Sequence, residues 1–346
     1  MSVQSIPIQR VPEIKCDLSE LRSRIEAQKN EPFVVKGLAH DWPVVKADQN
    51  PDTAISYLER FASARPVTSL RLQSGESNSI GYSRDFTGFN FKQDRRPLTS
   101  LLSELRQIVQ GPPSVHGLYL GSTNIDHWLP GFREENSFEL LEDWKPLASL
   151  WLGTRSLVAA HFDFPSNLAC VVFGERRFTL FPPEAISKLY VGPLDRTPAG
   201  QPISLARSDQ VHDPRYPHFK DALNSAKQAL LRPGDAIYIP SLWWHEIESL
   251  SSLNGLINFW WRSNDSHFGA PLAALQHLTL ALRSIPEPER QRWRPIIEHY
   301  IFGSDDAVIS HIPQHARGIL DHPTEEEASR FRAYLSTQLN PGSRKL

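Results

Sequence analysis

Two histidines and one aspartate are the residues of this chain whose types and spacing could do chemistry. His161 and Asp163 are separated by a single residue, and His245 follows much later in the chain. Two imidazoles and one carboxylate form the ligand set that holds non-haem Fe(II) on one face and leaves the opposite positions open. The same set also suits Zn, Mn or Ni. If the three residues converge, the sequence predicts a metal site of the oxygenase kind.

The local sequence indicates how these residues could be positioned. Residues i and i+2 of a strand point to one face, so His161 and Asp163 can both reach one ion. His245 follows a Pro-Gly-Asp turn and a short strand over Ala236–Ile239. This arrangement predicts that His245 lies at a strand end near the mouth of a barrel, where jelly-roll proteins carry their sites.

The elements that must hold the site are short strands. Gly, Pro and Asp turns separate eight apolar runs between residues 117 and 262, which predicts a mainly β fold, a jelly-roll barrel built as a double-stranded β-helix. The runs are Leu118–Leu120, Ser149–Leu152, Asn167–Phe173, Arg177–Phe181, Gln228–Leu231, Ala236–Ile239, Glu246–Leu250 and Leu256–Trp261.

The remaining sequence predicts three regions. Residues 1–112 read as an α/β lead-in packed on the barrel, with helices over Leu18–Gln28 and Thr99–Gln107. Residues 113–263 form the barrel, interrupted by a long insertion at 182–226. Residues 264–346 read as helical, with helices expected over 271–283, 286–300 and 324–338. Two alternatives are open for this tail, which either forms a homodimer through its apolar helix faces or packs on its own barrel.

Composition limits the partners. The chain has 346 residues, with 37 basic and 39 acidic side chains and a formal charge of -2, which argues against nucleic acid as a partner. Neither a signal peptide nor a membrane-spanning apolar run is recognisable, so a membrane location is not expected. Cys16 and Cys170 match no ligand or redox spacing, and a cytoplasmic location is the simplest expectation.

Several motifs in order carry a family resemblance. From residue 30 to 262 the chain resembles the JmjC-type, cupin-like branch of the Fe(II)/2-oxoglutarate dioxygenases, and within it the asparaginyl hydroxylase that inhibits hypoxia-inducible factor. The motifs are Trp42-Pro43, residues 85–91, His161-Phe-Asp163 with Asn167, residues 177–183, residues 233–240, residues 243–249 and residues 258–260.

The resemblance implies a cofactor, a cosubstrate and a reaction. It implies Fe(II) held by His161, Asp163 and His245, with 2-oxoglutarate and O2 as cosubstrates, succinate as coproduct, and hydroxylation of a C–H bond. A protein side chain is the favoured substrate, with a modified RNA or a small molecule as the alternatives. By position in the family, Asn167, Asn258 and Tyr119 imply the polar lining of the cosubstrate site.

Two departures concern the cosubstrate. Arg176 stands where the family has a lysine that pairs with the distal carboxylate, and Val158 stands where it has a hydroxyl residue. Arginine is longer and bidentate, so Arg176 is expected to bind the carboxylate at a shifted position. Two other functions stay open at this point. One is a metal-binding or ligand-binding barrel that acts as a sensor or interaction module, and the other is a zinc-dependent or manganese-dependent hydrolase or isomerase.

Overall fold

Fifteen strands make up most of the first part of the structure. The computed structural model describes residues 7–72, 78–111, 117–262 and 269–339. The strands are β1 (Gln9–Arg10), β2 (Glu13–Ile14), β3 (Phe33–Val35), β4 (Pro66–Leu72), β5 (Ser79–Ile80), β6 (Phe91–Pro97), β7 (Gly117–Asn124), β8 (Leu147–Gly153), β9 (Ser156–Phe162), β10 (Ser166–Phe173), β11 (Arg176–Phe181), β12 (Lys227–Leu231), β13 (Ala236–Ile239), β14 (Trp244–Ser249) and β15 (Asn254–Trp261).

The strands form two sheets. One sheet has the order β1-β12-β11-β14-β9-β5, and the other has the order β2-β3-β13-β10-β15-β8-β7-β4-β6. Side chains from both sheets meet in one apolar cluster, which includes Phe178 and Leu180 from the first sheet and Val171 and Ile237 from the second. The predicted mainly β, cupin-like jelly-roll fold is therefore confirmed.

Strand β10 shows why the larger sheet is apolar on both faces. Ala169 and Val171 pack in the cluster between the sheets, whereas Leu168 and Cys170 pack in a second cluster on the other face. This division follows from the alternation of side chains along a strand. The second cluster also contains lead-in residues such as Leu101, so the N-terminal segment covers the outer face of this sheet.

Short helices complete the first part of the structure. Asn50 and Thr53 form a capping box at the start of the helix Pro51–Glu59, which is a local sequence signal for a helix start. The helices are α1 (Leu18–Ala27), α2 (Pro43–Lys46), α3 (Pro51–Glu59), α4 (Leu98–Gln110), α5 (Ile125–Trp128), α6 (Phe132–Glu135) and α7 (Phe219–Leu223), with 3₁₀ turns at Glu139–Trp144, Pro183–Lys188 and Ser208–Gln210.

The insertion at 182–226 is folded and has a small core of its own. Ala185, Leu189 and Phe219 pack there with Phe181 of β11 and Trp244 of β14. The backbone N–H of Ser204 donates to the carbonyl of Ala160 at 2.7 Å, which attaches the insertion to β9. The insertion therefore forms a fixed wall beside the strand that carries His161.

The chain divides into two compact units, within Met1–Arg262 and within Ser263–Leu346. The domain boundaries predicted at 112/113 and 263/264 both fall outside the described residues. The second unit contains α8 (Pro271–Arg283), α9 (Glu287–Gln291), α10 (Arg294–Ile297), a π-helical turn (Glu298–Phe302), α11 (Asp305–Val308), 3₁₀ turns at Gln314–Ala316 and Gly318–Leu320, and α12 (Glu325–Leu339).

Two helix predictions for the second unit have different outcomes. The hydroxyl oxygen of Thr324 accepts a hydrogen bond from the backbone N–H of Glu327. In return, the carboxylate of Glu327 accepts hydrogen bonds from the backbone N–H and the hydroxyl of Thr324. This capping box confirms the helix start expected at residue 324. The single helix expected over 286–300 is wrong, because short α and π segments replace it and Pro295 lacks a backbone N–H. Within the described ranges, no helix has the length and apolar character that crossing a membrane requires.

Candidate metal centre

Two adjacent strands bring the three predicted ligands together. His161 on β9 lies directly opposite His245 on β14, and Asp163 comes just after β9. One ligand atom from each residue lies within 4.8 Å of the others. The Nε2 atom of His245 is 3.5 Å from a carboxylate oxygen of Asp163. Separations of this size allow all three residues to hold one ion.

Backbone carbonyls set the orientation of both imidazoles. Nδ1 of His161 is 2.9 Å from the carbonyl oxygen of Ala159, and Nδ1 of His245 is 3.0 Å from that of Trp243. When Nδ1–H donates to a carbonyl, Nε2 carries the lone pair that a metal needs. The backbone therefore selects the tautomer that presents Nε2 of both rings to an ion.

The charges also suit a divalent cation. Burial, followed by the neighbouring His245, lowers the pKa of His161 to about 4, so this imidazole is neutral at neutral pH. Burial alone would raise the pKa of Asp163, but its interactions with the neighbouring His245, His161 and Trp260 outweigh burial and lower that pKa. The triad therefore offers two imidazole nitrogens and one carboxylate oxygen, which is a donor set for Fe(II) and related metals.

A β-bulge lies next to the triad. The pairing of β14 with β9 shifts by one residue after His245, so that Ile247 lies opposite Val158. Bulges of this kind change the direction of side chains and occur often beside functional sites. Val158 and Ile247 both line the space beneath the triad, which makes that wall apolar.

Arg176 is buried in the same interior. Its residue is only 2% exposed, whereas the next residue on β11, Arg177, is half-buried and pairs with Glu248. Nη2 of Arg176 donates to the carbonyl of Trp151 at 3.2 Å, and its Nε has no hydrogen-bond partner among the described residues. Burial lowers the pKa of this guanidinium to about 10, so it remains a cation at neutral pH.

The other predicted polar residues line the same space. Trp151 donates its indole N–H to the side-chain oxygen of Asn258 at 2.8 Å, which fixes that amide. The side-chain oxygen of Asn167 is buried without a partner in the described part of the chain. Burial raises the pKa of Tyr119 to about 12, so its hydroxyl keeps its proton. All seven residues predicted from the sequence line one small interior cavity, namely Tyr119, His161, Asp163, Asn167, Arg176, His245 and Asn258.

A larger cavity, the metal-side cavity, opens outward from the triad. Its volume is about 410 Å³, and His161 and Asp163 lie on its wall. Leu70 and Ile80 come from the lead-in, whereas Ile203 comes from the insertion. Sequence reasoning did not identify these lining residues individually, because nothing local in their sequence points to the metal. Their role depends on contacts between segments that are distant in the chain.

Glu246 is a further residue that the sequence reading missed. Its side chain is buried next to His245, and burial raises its pKa to about 7. The backbone N–H of Ser208 donates to its carboxyl group at 3.1 Å, and the Ser208 hydroxyl donates to the other oxygen. Glu246 therefore links the insertion to the strand that carries a metal ligand.

The fold and the triad together define a metal-binding barrel of the cupin type. A family model described as a cupin-like domain matches residues 20–267. The chain belongs to this cupin-like family, in its JmjC-type branch.

Three relatives show the range of the similarity. The chain is 30% identical over 176 residues to lysine-specific demethylase JMJ31 of Arabidopsis thaliana, which covers 51% of this chain and 27% of that protein. It is 29% identical over 150 residues to human HSPB1-associated protein 1, an alignment that covers 42% of this chain and 30% of that protein. It is 23% identical over 259 residues to human bifunctional peptidase and (3S)-lysyl hydroxylase JMJD7, which covers 67% and 77%. The aligned part is thus under a third of the first two proteins.

Proposed function

We propose that this protein is an Fe(II)- and 2-oxoglutarate-dependent oxygenase that hydroxylates a C–H bond of a protein side chain. The observation that carries the proposal is the buried guanidinium of Arg176, which shares one cavity with the metal triad. A buried cation without an anionic partner costs free energy. A ligand with a distal carboxylate for Arg176 and a metal-chelating end for the triad would offset this cost. 2-Oxoglutarate has both groups.

Each residue around the cavity has a separate task under this proposal. His161, Asp163 and His245 would hold the metal, and Arg176 would bind the distal carboxylate through two N–H groups. Asn258, oriented by Trp151, would offer its amide N–H₂ to the cosubstrate. Fe(II) and 2-oxoglutarate, when bound, would supply the electrons that reduce O2, so that one oxygen atom enters succinate as CO2 is lost and the other enters the hydroxyl group of the substrate.

The departure at Val158 fits an arginine anchor. Thr154 and Ser156 are the hydroxyl residues nearest before Val158 in the chain. Neither is among the described residues that line the interior cavity, and Thr154 accepts a hydrogen bond from the backbone N–H of Leu118. Among the described residues that line this cavity, no serine or threonine replaces the hydroxyl residue of the family pattern. A bidentate guanidinium can satisfy both oxygens of a carboxylate, so an additional hydroxyl is not required.

The relatives and the shape of the site support a protein substrate. The metal-side cavity is bounded by the lead-in and the insertion and connects with the space beneath the triad through Tyr119, Trp151 and Val158. Two of the relatives are named as a lysine-specific demethylase and a lysyl hydroxylase, and both activities are directed at amino-acid side chains. A small-molecule substrate is the alternative that a substrate screen would distinguish.

We also infer that the helices of the second unit form a homodimer in a cytoplasmic setting. Both cysteines of the chain are free, as expected in a reducing compartment. Many large apolar side chains of the second unit are exposed, which is unusual unless another surface covers them. They are Leu275, Leu278, Leu280, Trp293, Ile296, Tyr300, Ile301, Phe302, Ile319, Tyr334, Leu335 and Leu339.

The test is succinate formation by protein reconstituted anaerobically with Fe(II) and then supplied with 2-oxoglutarate and O2. We expect metal-dependent succinate, which His161→Ala abolishes and His218→Ala, a change at an exposed histidine, leaves intact. Binding of 2-oxoglutarate is measured on the same preparations. Absence of both succinate and 2-oxoglutarate binding with every metal tried would overturn the proposal and favour a sensor or a hydrolase.

A further inference from the structure

A second groove adjoins the metal-side cavity. It has a volume of about 540 Å³ and lies between residues 79–90 of the lead-in and residues 203–216 of the insertion. Both spaces are lined by Ile80, Ala159 and Ile203, so they adjoin each other beside β9. A chain lying in this groove could therefore present one of its side chains to the metal triad. We call it the arginine groove.

All charged side chains that line the arginine groove are arginines. They are Arg84, Arg207 and Arg215, and no carboxylate is among the described residues of its lining. Asp209 and Asp213 pair with two of these arginines from outside the lining. The lining of the groove therefore contains guanidinium groups but neither of their acidic partners.

Arg215 retains hydrogen-bond donors for a ligand. Arg215 bonds Asp213 through Nε and Nη2, and its side chain is 66% exposed. A guanidinium has five N–H donors, more than this pair uses. Because the fork of N–H groups matches a carboxylate in two-point contact, an acidic side chain is the ligand chemistry that this lining fits best.

An exposed aromatic side chain forms part of the same lining. Phe86 is 41% exposed and has a φ of 58°, a left-handed conformation that is strained for a bulky residue. Asp85 fixes this loop by accepting hydrogen bonds from Ser83 and Thr87, and Tyr82 stacks on Phe86. Strain held in place by surrounding bonds occurs preferentially at binding sites.

We propose that the arginine groove binds an acidic segment of the polypeptide substrate, next to the residue that enters the metal-side cavity. Arg215 binds a carboxylate of that segment, and Phe86 contacts an apolar side chain within it. This proposal rests on the proposed function. It concerns the residues that flank the oxidised side chain in a polypeptide substrate, and the oxidation itself takes place at the metal triad. It adds a recognition element that lies outside the metal and cosubstrate sites.

The charges favour a polypeptide over a nucleic acid. Binding to a phosphate backbone draws on a large excess of positive charge. The chain has a formal charge of -2, and Arg207 and Arg215 are each paired with an aspartate. Because each of these two arginines is neutralised by an aspartate, the groove has too little net positive charge to attract a polyanion. A guanidinium that keeps free N–H donors can still bind a single carboxylate.

The test measures binding of a short fluorescein-labelled peptide that is rich in glutamate and contains one phenylalanine. Its matched counterparts carry glutamine or lysine in place of each glutamate, and a labelled oligouridylate represents nucleic acid. We expect the glutamate peptide to bind at least about fivefold more tightly than the glutamine peptide, with an affinity that falls as salt rises. Arg215→Ala and Phe86→Ala should each weaken this binding, whereas Arg22→Ala, which breaks a similar surface pair with Asp143, should not.

Three results would overturn the groove proposal. They are equal binding of the glutamate and glutamine peptides, equal effects of Arg215→Ala and Arg22→Ala, and tighter binding of oligouridylate that displaces the peptide. Circular dichroism of each variant shows that it is folded.

His161→Ala separates the two proposals, because it should abolish succinate formation but leave peptide binding unchanged. Peptide binding without any 2-oxoglutarate binding by the wild type would refute the oxygenase and retain the groove.

Discussion

His161 on β9 and His245 on β14 are paired directly across two neighbouring strands, and their ring centroids are 4.3 Å apart. Each ring is oriented by the backbone carbonyl of the residue two positions earlier in the chain. The sheet therefore builds most of the metal centre before any ion binds. Asp163, just beyond the end of β9, completes it.

Metal binding should stabilise the folded protein. A ligand that binds only the folded state adds about 2.7 kcal/mol when its free concentration is about one hundred times its Kd. We expect Fe(II), added anaerobically, to raise the thermal midpoint of the wild type measured by calorimetry. His245→Ala should remove this rise, and His218→Ala should keep it. An equal rise in the His245→Ala protein would show that the ion binds elsewhere.

Replacing Arg176 by methionine should stabilise the protein in the absence of ligands. The change removes a buried cation that has no ionic partner among the described residues, and such replacements often stabilise by about 1–4 kcal/mol. Arg177→Met is the matched control, because Arg177 is half-buried and already paired with Glu248. Urea unfolding measures both. A clear loss of stability in Arg176→Met would show that the guanidinium serves the fold rather than a ligand.

Ser208→Ala should loosen the insertion. It removes the hydroxyl donor to the buried carboxyl of Glu246, and an unsatisfied buried acceptor costs about 1–3 kcal/mol. We expect faster proteolysis within residues 182–226, mapped by mass spectrometry, and a lower thermal midpoint. Ser284→Ala removes a hydroxyl bond on an exposed helix of the second unit and should change neither. Unchanged proteolysis of Ser208→Ala would rule out the link to the insertion.

The dimer predicted for the second unit depends on its exposed apolar side chains. Ile301 and Phe302 are 69% and 71% exposed, so replacing both by aspartate should convert a dimer to a monomer in sedimentation velocity. Ile186→Asp, a change at an exposed residue of the insertion, should leave the dimer intact. A wild-type protein that sediments as a monomer at every concentration would contradict the dimer.

The sequence predicted strand β13 and most of β14 because their signals are local, but β9, which carries His161, is not among the eight predicted runs. The spacing of His161 and Asp163 and the turn before β13 depend on a few neighbouring residues, and the structure has both. Strand β6 was missed because its charged sequence does not alternate, and it lies at the end of its sheet, where charged side chains reach solvent.

The walls of the site could not be predicted in the same way. Ile80 and Ile203 reach the metal-side cavity from segments that are far apart in the chain. The Ser208 to Glu246 contact likewise depends on how the insertion folds back onto β14. Such contacts follow from tertiary packing, which has no periodic signal in a single sequence. The roles assigned to Arg176, Asn167, Asn258 and Tyr119 remain predictions.

The most direct test of the central claim is calorimetric titration of 2-oxoglutarate into protein loaded anaerobically with Fe(II). The account predicts saturable binding at one site per chain, loss of at least about tenfold in affinity in Arg176→Met, and no loss in Arg177→Met. Binding should also require the metal, because the triad holds the chelating end. Equal affinity of wild type and Arg176→Met for 2-oxoglutarate, or no binding by the metal-loaded wild type, would contradict it.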